Sequence, residues 1–165
     1  MVPRPRLVFA GTAGDSGKTL VCLGLLRHWA RDGVRLATFK KGPDYIDAAW
    51  LALASGATTR NLDTYLMEPE VVRRSFVRHA SGADLSVIEG NRGLLDGQDA
   101  RGTHSTATLA RLLRAPTVLV LPVTKTTRSA AAFVAVCIHL EPDLDLAGVV
   151  LNRVGGPRHE RVLRE

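Results

Sequence analysis

Residues 6–20, RLVFAGTAGDSGKTL, decide the fold of this chain. A short apolar run ends in a glycine-bearing turn, and a Lys-Thr pair then opens a helical pattern. A strand, a glycine loop and a helix in this order form an anion cradle, because loop N–H groups and the helix N-terminus point at a bound phosphate. The stretch therefore predicts a phosphate-binding loop within an α/β fold.

The glycine spacing of this loop differs by one residue from the common phosphate-loop pattern. Gly17, Lys18 and Thr19 match the end of that pattern, but its leading glycine is Gly11, and Thr12 stands where glycine is usual. A plain turn before a helix would explain the glycines, yet it gives no reason for Lys and Thr in the first helical turn. The spacing also does not fit the G-x-G-x-x-G loop of dinucleotide-binding folds. Nucleotide binding is therefore the favoured interpretation.

The chemistry of a metal-bound nucleotide assigns roles to several of these side chains. Lys18 is expected to reach the β- and γ-phosphates, and the Thr19 hydroxyl is expected to ligate Mg²⁺. Glu89 ends the apolar run SVIE, and as an unpaired buried charge it would be costly, so Mg²⁺ or Lys18 is its expected partner. Asp96 follows in a glycine-rich loop, where a turn residue is an equally good interpretation. The predicted nucleotide contacts in the loop are Gly11, Thr12, Gly14, Asp15, Ser16, Gly17, Lys18 and Thr19.

Continuous apolar runs alternate with longer helical patterns along the whole chain. Apolar strands joined by helices predict a doubly wound, mostly parallel sheet covered by helices on both faces, with ligands bound beyond the carboxyl ends of the strands. The predicted strands are 6–11, 34–40, 85–90, 117–123 and 146–152, and the predicted helices lie near 17–31, 46–55, 68–80, 103–114 and 127–140.

The segment FKKGPDYIDAAW follows the second predicted strand and carries charges of both signs. Lys40, Lys41, Asp44 and Asp47 place two cations and two carboxylates at the entrance to a helix. Helix capping explains Asp44. It does not explain a lysine pair at the carboxyl end of a strand, where a substrate would bind.

Composition bounds the class of protein. The chain carries 22 Lys and Arg against 16 Asp and Glu, a net charge of +6, which suits an anionic ligand. No basic run interleaved with aromatic residues predicts a nucleic-acid surface, and no apolar run approaches the ~20 residues of a membrane span, so a cytoplasmic protein is expected. Cys22 and Cys137 lie in apolar helical stretches and are interpreted as buried free thiols.

Three segments carry weaker signals. The stretch RNLDTYL, residues 60–66, is interpreted as a capped loop as readily as a functional one. Residues 128–140, RSAAAFVAVCIHL, are expected to form a helix packed closely on the sheet, with a homodimer contact as the alternative. Residues 1–165 are expected to form one domain, and GGPRHERVLRE starts a helix with no strand after it, which is interpreted as truncation of a longer enzyme.

Six stretches in chain order resemble the cobyrinic acid a,c-diamide synthase family. Members of this family are glutamine-dependent amide ligases. They are related in fold to dethiobiotin synthetase, which has a P-loop NTPase fold. They are AGTAGDSGKT, FKKGPDYIDAAWLALASG, RNLDTYLM, VIEGNRGLLDG, THSTATLARLL and AGVVLNRVGGPRHERVL, and they cover nearly the whole chain. The longer glycine loop is also the form found in this family, so the unusual spacing becomes an identifying feature.

The resemblance implies an ATP- and Mg²⁺-dependent phosphorylation of side-chain carboxylates on a modified tetrapyrrole, followed by displacement of phosphate by ammonia from glutamine. Lys40 or Lys41 would then neutralise the charge that develops between γ-phosphate and carboxylate. Asn152, at the end of the last strand, matches the adenine-reading Asn of these folds. The implied acids, which position metal, substrate or ammonia, are Asp44, Asp47 and Asp96, and the implied metal ligands are Thr19, Asp44 and Glu89.

Departures from the family pattern leave alternatives open. The glutamine amidotransferase domain of the family is absent from the chain. The stretch EGNRGLL is similar to the corresponding stretch of members that amidate sirohydrochlorin or sirohaem. A non-catalytic nucleotide-binding module is a further alternative. A partitioning-type P-loop ATPase would carry an additional lysine where this chain has Thr12 and Ala13, and it would not explain GPDYID, which also disfavours dethiobiotin synthetase itself.

Overall fold

A computed structural model describes residues 4–165, and within that range six strands alternate strictly with six helices. Apolar runs too short for a helix form the strands, and the longer amphipathic stretches between them form the helices. The elements are β1 Arg6–Gly11, α1 Lys18–Arg31, β2 Leu36–Lys41, α2 Ile46–Ser55, β3 Thr59–Leu62, α3 Pro69–His79, β4 Leu85–Gly93, α4 Thr106–Leu113, β5 Thr117–Pro122, α5 Ser129–Leu140, β6 Leu146–Asn152 and α6 Pro157–Arg164.

The strands form one parallel sheet in the order β3-β2-β4-β1-β5-β6. The chain first builds the sheet on one side of β1 and then on the other, so β1 lies at the point where the winding reverses. In open α/β sheets, ligands bind outside the carboxyl ends of the strands at that point. The doubly wound fold predicted from the sequence is therefore confirmed, and the glycine loop after β1 lies at the expected crevice.

The sequence prediction missed β3, and the loop predicted over residues 60–66 is wrong for its first half. Thr59–Leu62 is a strand of four residues at the sheet edge, and only Leu62 in it is buried. Such a short, polar edge strand carries no continuous apolar run to reveal it. The second half is a turn, in which Oδ1 of Asp63 accepts hydrogen bonds from the backbone N–H groups of Tyr65 and Leu66. Elsewhere β4 runs three residues further than predicted, to Gly93, and α4 begins three residues later, at Thr106.

Two apolar layers cover the two faces of the sheet. On one face, Phe39 of β2 packs against Phe76 of α3, with ring centroids 5.2 Å apart. On the other face, Leu36 of β2 packs in a cluster with Cys22 and Leu26 of α1. Successive residues of β2 therefore serve opposite layers, as the two-residue period of a strand requires.

The two cysteines are free and buried, as predicted. The expectation for α5 is only partly met, because this helix contacts the sheet through a narrow stripe that includes Ala130 and Cys137. Phe133, Ile138 and Leu140 are more than half exposed. No helix between residues 4 and 165 combines the length and apolar character needed to cross a membrane.

Candidate nucleotide and carboxylate site

The glycine loop closes tightly on itself at the carboxyl end of β1. A Cβ atom at Gly11 would lie 2.2 Å from Oγ of Ser16, so only glycine fits there. Gly17 has φ 86° and directly precedes α1, and a Cβ at this position would lie 2.3 Å from Nδ2 of Asn152. These two glycines are thus required by the packing and conformation of the loop, and their predicted contacts with a nucleotide stay predictions.

Residues at the end of β6 hold the loop in place. Nδ2 of Asn152 donates to the Ser16 carbonyl at 2.9 Å, and Nη2 of Arg153 donates to the Asp15 carbonyl at 2.8 Å. Asn152 therefore contacts the nucleotide loop from 136 residues away in sequence. Its predicted adenine contact stays a prediction, because the observed amide donor is already engaged by the loop. Arg153 was missed by sequence reasoning, since nothing local distinguishes it from other surface arginines.

A buried cluster of opposite charges lies beside the loop. The ammonium Nζ of Lys40 is 2.7 Å from Oδ2 of Asp47, 3.5 Å from Oε1 of Glu89 and 3.9 Å from Oδ2 of Asp44. It also donates to the Gly90 carbonyl at 3.2 Å. Lys40 and Glu89 are almost completely buried, at 1% and 0% exposure. Lys40 is thus the cation around which three predicted acids meet.

Strand register explains why these residues meet. β2 and β4 are neighbours in the sheet, and Lys40 pairs directly with Glu89 across them. β4 also borders β1, whose loop leads into Lys18 and Thr19 at the start of α1. The Thr19 hydroxyl accordingly reaches Glu89 and donates to Oε1 at 2.5 Å.

Burial and mutual charge set the ionisation of the cluster. Burial, followed by the neighbouring charge of Lys40, lowers the pKa of Lys18, while Glu89 and Asp47 act in the opposite direction. Burial raises the pKa of Glu89, and Lys40 and the Thr19 hydrogen bond oppose that rise. Burial also pushes the pKa of Asp47 upward, but the hydrogen bond and charge of Lys40 outweigh it, so this pKa is lowered. Each charged form depends on its partners, so an incoming anion or cation would strongly affect all of them.

Three side-chain oxygen atoms in and beside the loop are of the type that binds a hard cation. Oε2 of Glu89 and Oγ of Ser16 are buried without a hydrogen-bond partner in the described structure, and the Thr19 hydroxyl lies beside Glu89. Among residues 4–165, no group of three or more His, Cys, Asp or Glu side chains could hold a metal alone. Mg²⁺ that is bound with a nucleotide takes one or two protein oxygens and completes its shell with phosphates and water.

Asp44 and Asp96 each accept backbone hydrogen bonds in their own turns. Oδ1 of Asp44 accepts hydrogen bonds at 3.0 Å from the N–H groups of Ile46 and Asp47, so it caps the first turn of α2. Oδ2 of Asp96 accepts from the Gly93 N–H at 3.0 Å. Both contacts match the simpler structural interpretations of these acids, and their predicted roles toward metal, substrate or ammonia stay predictions.

The segment of Asp44 is positioned by a residue from β3. Nδ2 of Asn61 donates to the carbonyl groups of Gly42 at 2.6 Å and Asp44 at 2.9 Å. This amide therefore fixes the turn that delivers Asp44 and Asp47 to Lys40. The sequence contained Asn61, but the strand that places it was not predicted.

Lys41, unlike Lys40, is not part of the cluster. It is the last residue of β2 and is 8% exposed. Since neighbouring strand residues point to opposite faces of a sheet, its side chain leaves the strand on the face of α3 and α4. The structure thus separates two lysines that are equivalent in the sequence pattern.

Residues 7–165 match the CobQ/CobB/MinD/ParA nucleotide binding domain family. The chain is 45% identical over 161 residues to a cobyrinate a,c-diamide synthase of Magnetococcus marinus, covering 98% of this chain and 34% of that protein. It is 46% identical over 162 residues to a hydrogenobyrinate a,c-diamide synthase of Streptomyces coelicolor, covering 98% and 33%. The chain therefore spans about a third of the length of these relatives.

Solved structures with little sequence identity share the fold. The kinase domain of the Escherichia coli tyrosine kinase ETK matches with a TM-score of 0.65 at 15% identity, covering 93% of this chain and 69% of that one. Chloroplast FtsY from Physcomitrella patens matches with a TM-score of 0.64 at 16% identity, covering 92% and 50%. At this level of identity the likeness supports the fold alone.

Proposed function

The chain belongs to the CobQ/CobB/MinD/ParA nucleotide binding domain family, and from this premise we propose that it binds ATP with Mg²⁺ and activates carboxylate groups of a modified tetrapyrrole for amide formation. The names of the relatives support the substrate class, since they are cobyrinate and hydrogenobyrinate a,c-diamide synthases. Because the chain spans a third of their length, the ammonia source is proposed to be a glutamine amidotransferase domain outside residues 1–165.

One observation carries the proposal: Lys18, Thr19, Lys40 and Glu89 converge at the carboxyl ends of three adjacent strands. Lys40 and Thr19 both lie within 3.5 Å of Oε1 of Glu89. A binding site for a phosphate group alone would need the loop and Lys18, but it gives no reason for a second buried lysine held by Asp47. A reaction that joins two anions does need it, because a carboxylate approaching a γ-phosphate builds up negative charge.

The reaction consists of two balanced steps. One oxygen of the carboxylate attacks the γ-phosphorus, the bond from that phosphorus to the bridging oxygen breaks, and ADP leaves. Ammonia then adds to the acyl carbon and loses a proton, and the bond from carbon to the phosphate oxygen breaks. The products are an amide and inorganic phosphate. The first step is needed because a carboxylate oxygen is a poor leaving group and phosphate is a good one.

Different residues of this chain bind the phosphates, the carboxylate and the metal ion in the first step. Lys18 and the N–H groups of the loop hold the β- and γ-phosphates, and Lys40 orients and neutralises the incoming carboxylate. Thr19 and Glu89 would hold the metal ion. Mg²⁺, when bound, supplies positive charge that offsets the charge of the phosphate oxygens. Asp47 fixes the Lys40 ammonium at 2.7 Å and so acts as a positioning residue.

A nucleotide-binding module without turnover is the second candidate, and the match to a nucleotide binding domain family supports it. A partitioning-type ATPase has less support, because Thr12 and Ala13 occupy the place of its additional lysine. Sirohydrochlorin or sirohaem as the substrate would retain the chemistry described above and change only the macrocycle.

The test follows the transfer of ¹⁸O from the substrate carboxylate to inorganic phosphate. The 165-residue chain is incubated with ATP, Mg²⁺, an ammonium salt and cobyrinate, hydrogenobyrinate or sirohydrochlorin whose carboxylates carry ¹⁸O. Activation by phosphorylation transfers one ¹⁸O into inorganic phosphate, and Lys18→Ala abolishes the transfer. ATP binding without any transfer would leave the module as the function. A chain that binds no ATP would overturn both candidates.

A further inference from the structure

Lys41 is a largely buried cation that forms no salt bridge with any carboxylate of residues 4–165. Its side chain is 8% exposed, and no carboxylate of the described residues lies within 4 Å of its amine. Lys40, the preceding residue, is surrounded by three carboxylates. The amine itself keeps contact with solvent, because it is not among the fully buried side-chain atoms that lack a hydrogen-bond partner. A cation with a mostly buried stem and no salt bridge is therefore open to an anionic ligand.

The side chain of Lys41 lies on the face of the sheet away from the nucleotide loop. Ala37 and Phe39 of β2 pack in the apolar layer formed with α3 and α4. Because side chains alternate along a strand, Lys41 continues that row, whereas Lys40 continues the row that faces α1. The two side chains thus leave the end of β2 on opposite faces of the sheet.

Loops from both neighbouring strands flank the end of β2. In the sheet, β2 lies between β3 and β4. Nδ1 of His104, in the connection after β4, lies 3.3 Å from Oγ1 of Thr64, which follows β3. The rings of His104 and Tyr65 meet edge to face with centroids 5.5 Å apart. This contact joins the loops that follow the two neighbours of β2, and Lys41 pairs with Leu62, the last residue of β3.

The opposite charge that acts on Lys41 belongs to Asp63, and one oxygen of this carboxylate is already engaged. Oδ1 of Asp63 accepts hydrogen bonds from the N–H groups of Tyr65 and Leu66, and this carboxylate is no closer than 4 Å to the Lys41 amine. Burial lowers the pKa of Lys41, and Lys40 lowers it further, while the charge of Asp63 raises it. Tyr65 follows the strand partner of Lys41 by three residues and is 61% exposed, so its ring is open to a ligand near the end of β2.

We propose that Lys41 and the Tyr65–His104 pair form a second carboxylate subsite, which holds a carboxylate of the tetrapyrrole other than the one being activated. The inference rests on the proposed function, in which the substrate carries at least the a and c carboxyl groups named for the relatives. One carboxylate reacts beside Lys40 while another is anchored by Lys41 over the carboxyl end of β2, with the macrocycle against Tyr65. Lys41 is then a substrate-binding residue with no part in phosphoryl transfer.

The test measures binding of cobyrinate and of ATP separately, with three variants of the 165-residue chain. Lys41→Met keeps the length of the side chain and removes its charge, and Lys41→Arg keeps the charge. Arg78→Met removes the same charge from an exposed position in the last turn of α3, at the other end of the sheet. Thermal unfolding midpoints confirm that each variant is folded.

We expect Lys41→Met to weaken cobyrinate binding by about tenfold or more and to leave ATP binding within about twofold of wild type, since charge-assisted contacts have this magnitude. Lys41→Arg and Arg78→Met should both bind cobyrinate nearly as the wild type does. A folded Lys41→Met chain with wild-type cobyrinate affinity would overturn the subsite alone, as would a wild-type chain that binds ATP but not cobyrinate. If the wild-type chain binds neither ligand, the proposed function fails and the subsite fails with it. If Lys41→Met does not fold, Lys41→Arg is compared with Arg78→Met instead. An equal loss of cobyrinate binding in these two variants would overturn the subsite.

Discussion

The hydroxyl of Thr19 donates a hydrogen bond to Oε1 of Glu89, which joins the first turn of α1 to β4 across 70 residues of sequence. The other carboxylate oxygen of Glu89 is buried without a partner in the described structure. The pair therefore presents a hydroxyl and a carboxylate oxygen beside the nucleotide loop, which are the oxygen donors that Mg²⁺ prefers.

Glu89→Gln should reduce the contribution of Mg²⁺ to ATP affinity. The amide keeps the shape of the side chain but removes the charge that attracts the cation. We expect the ratio of ATP affinities with Mg²⁺ and with EDTA to fall by about tenfold, or ~1.4 kcal/mol. Titration with a fluorescent ATP analogue measures both values. Glu70→Gln, an exposed acid on α3, is the matched control and should leave the ratio unchanged.

Lys40→Met should destabilise the fold strongly. The substitution leaves the carboxylate of Glu89, which is 0% exposed, without its cation. Breaking a buried ion pair by removing one partner costs about 3–5 kcal/mol. Adding Glu89→Gln to this variant should recover part of the loss, because it removes the unpaired charge. Urea unfolding of the two single variants and the double variant measures this coupling, and strictly additive losses would contradict it.

Arg73→Met provides the comparison for the ion pairs. Arg73 and Glu70 form an exposed pair on α3 with an N–O distance of 3.5 Å. Exposed pairs contribute about 0–1 kcal/mol, so this variant should unfold close to the wild type. A loss as large as that of Lys40→Met would show that burial is not the cause.

Gly17→Ala should destabilise the chain, whereas Gly24→Ala should stabilise it. Gly17 has φ 86°, and an added Cβ would lie 2.3 Å from the Asn152 amide, so the substitution costs at least about 1–2 kcal/mol from the backbone alone. Gly24 is exposed within α1, and a Cβ there meets no atom within 4 Å. Alanine at this position should therefore raise the free energy of unfolding by up to about 1 kcal/mol. Urea unfolding of both variants measures the two signs.

Asn152→Ala should loosen the nucleotide loop without disturbing the sheet. The substitution removes the hydrogen bond from Nδ2 to the Ser16 carbonyl, which is worth about 1 kcal/mol. We expect faster hydrogen exchange at the backbone amides of residues 16–19 and unchanged exchange in β4. Unchanged protection of the loop would show that Arg153 alone holds it.

The Arg35–Asp84 pair should make stability depend on pH in the acid range. The carboxylate of Asp84 accepts hydrogen bonds from the side chain and the backbone N–H of Arg35, and these bonds lower the pKa of Asp84 to about 2. Because the folded pKa is below the ordinary value of about 4, the pair contributes stability above that value and loses it as the pH falls toward 2. Asp84→Asn should therefore lower the urea midpoint at pH 7 and differ progressively less from wild type below pH ~4. A difference that stays constant down to pH ~2 would contradict this account.

Much of the fold was accessible from the sequence because its signals are local. Continuous apolar runs predicted the five longer strands, and the glycine loop marked the start of α1 at Lys18. Strand β3 escaped prediction, because Thr59–Leu62 is short, polar and at an edge. Its stability comes from pairing with β2, which is a long-range interaction that no local pattern records.

The candidate site was predictable as a set of residues but not as an arrangement. Two lysines and two aspartates were expected together at the entrance to a helix, and of these Lys40 and Asp47 form an ion pair. The role of Asn61 in fixing the turn and that of Arg153 in holding the loop were not foreseen. Both depend on which strand ends are neighbours in the sheet.

By itself, the sequence determined the α/β class, the phosphate loop and the chemical types gathered after each strand, because these follow from hydrophobic period and local turn chemistry. Only the tertiary structure decided which lysine meets which acid. Pairing of β2 with β4 brings Lys40 to Glu89, and the alternation of side chains along β2 sends Lys41 to the opposite face. Two adjacent and chemically identical residues thereby receive different partners, since register and sheet order are properties of the folded chain alone.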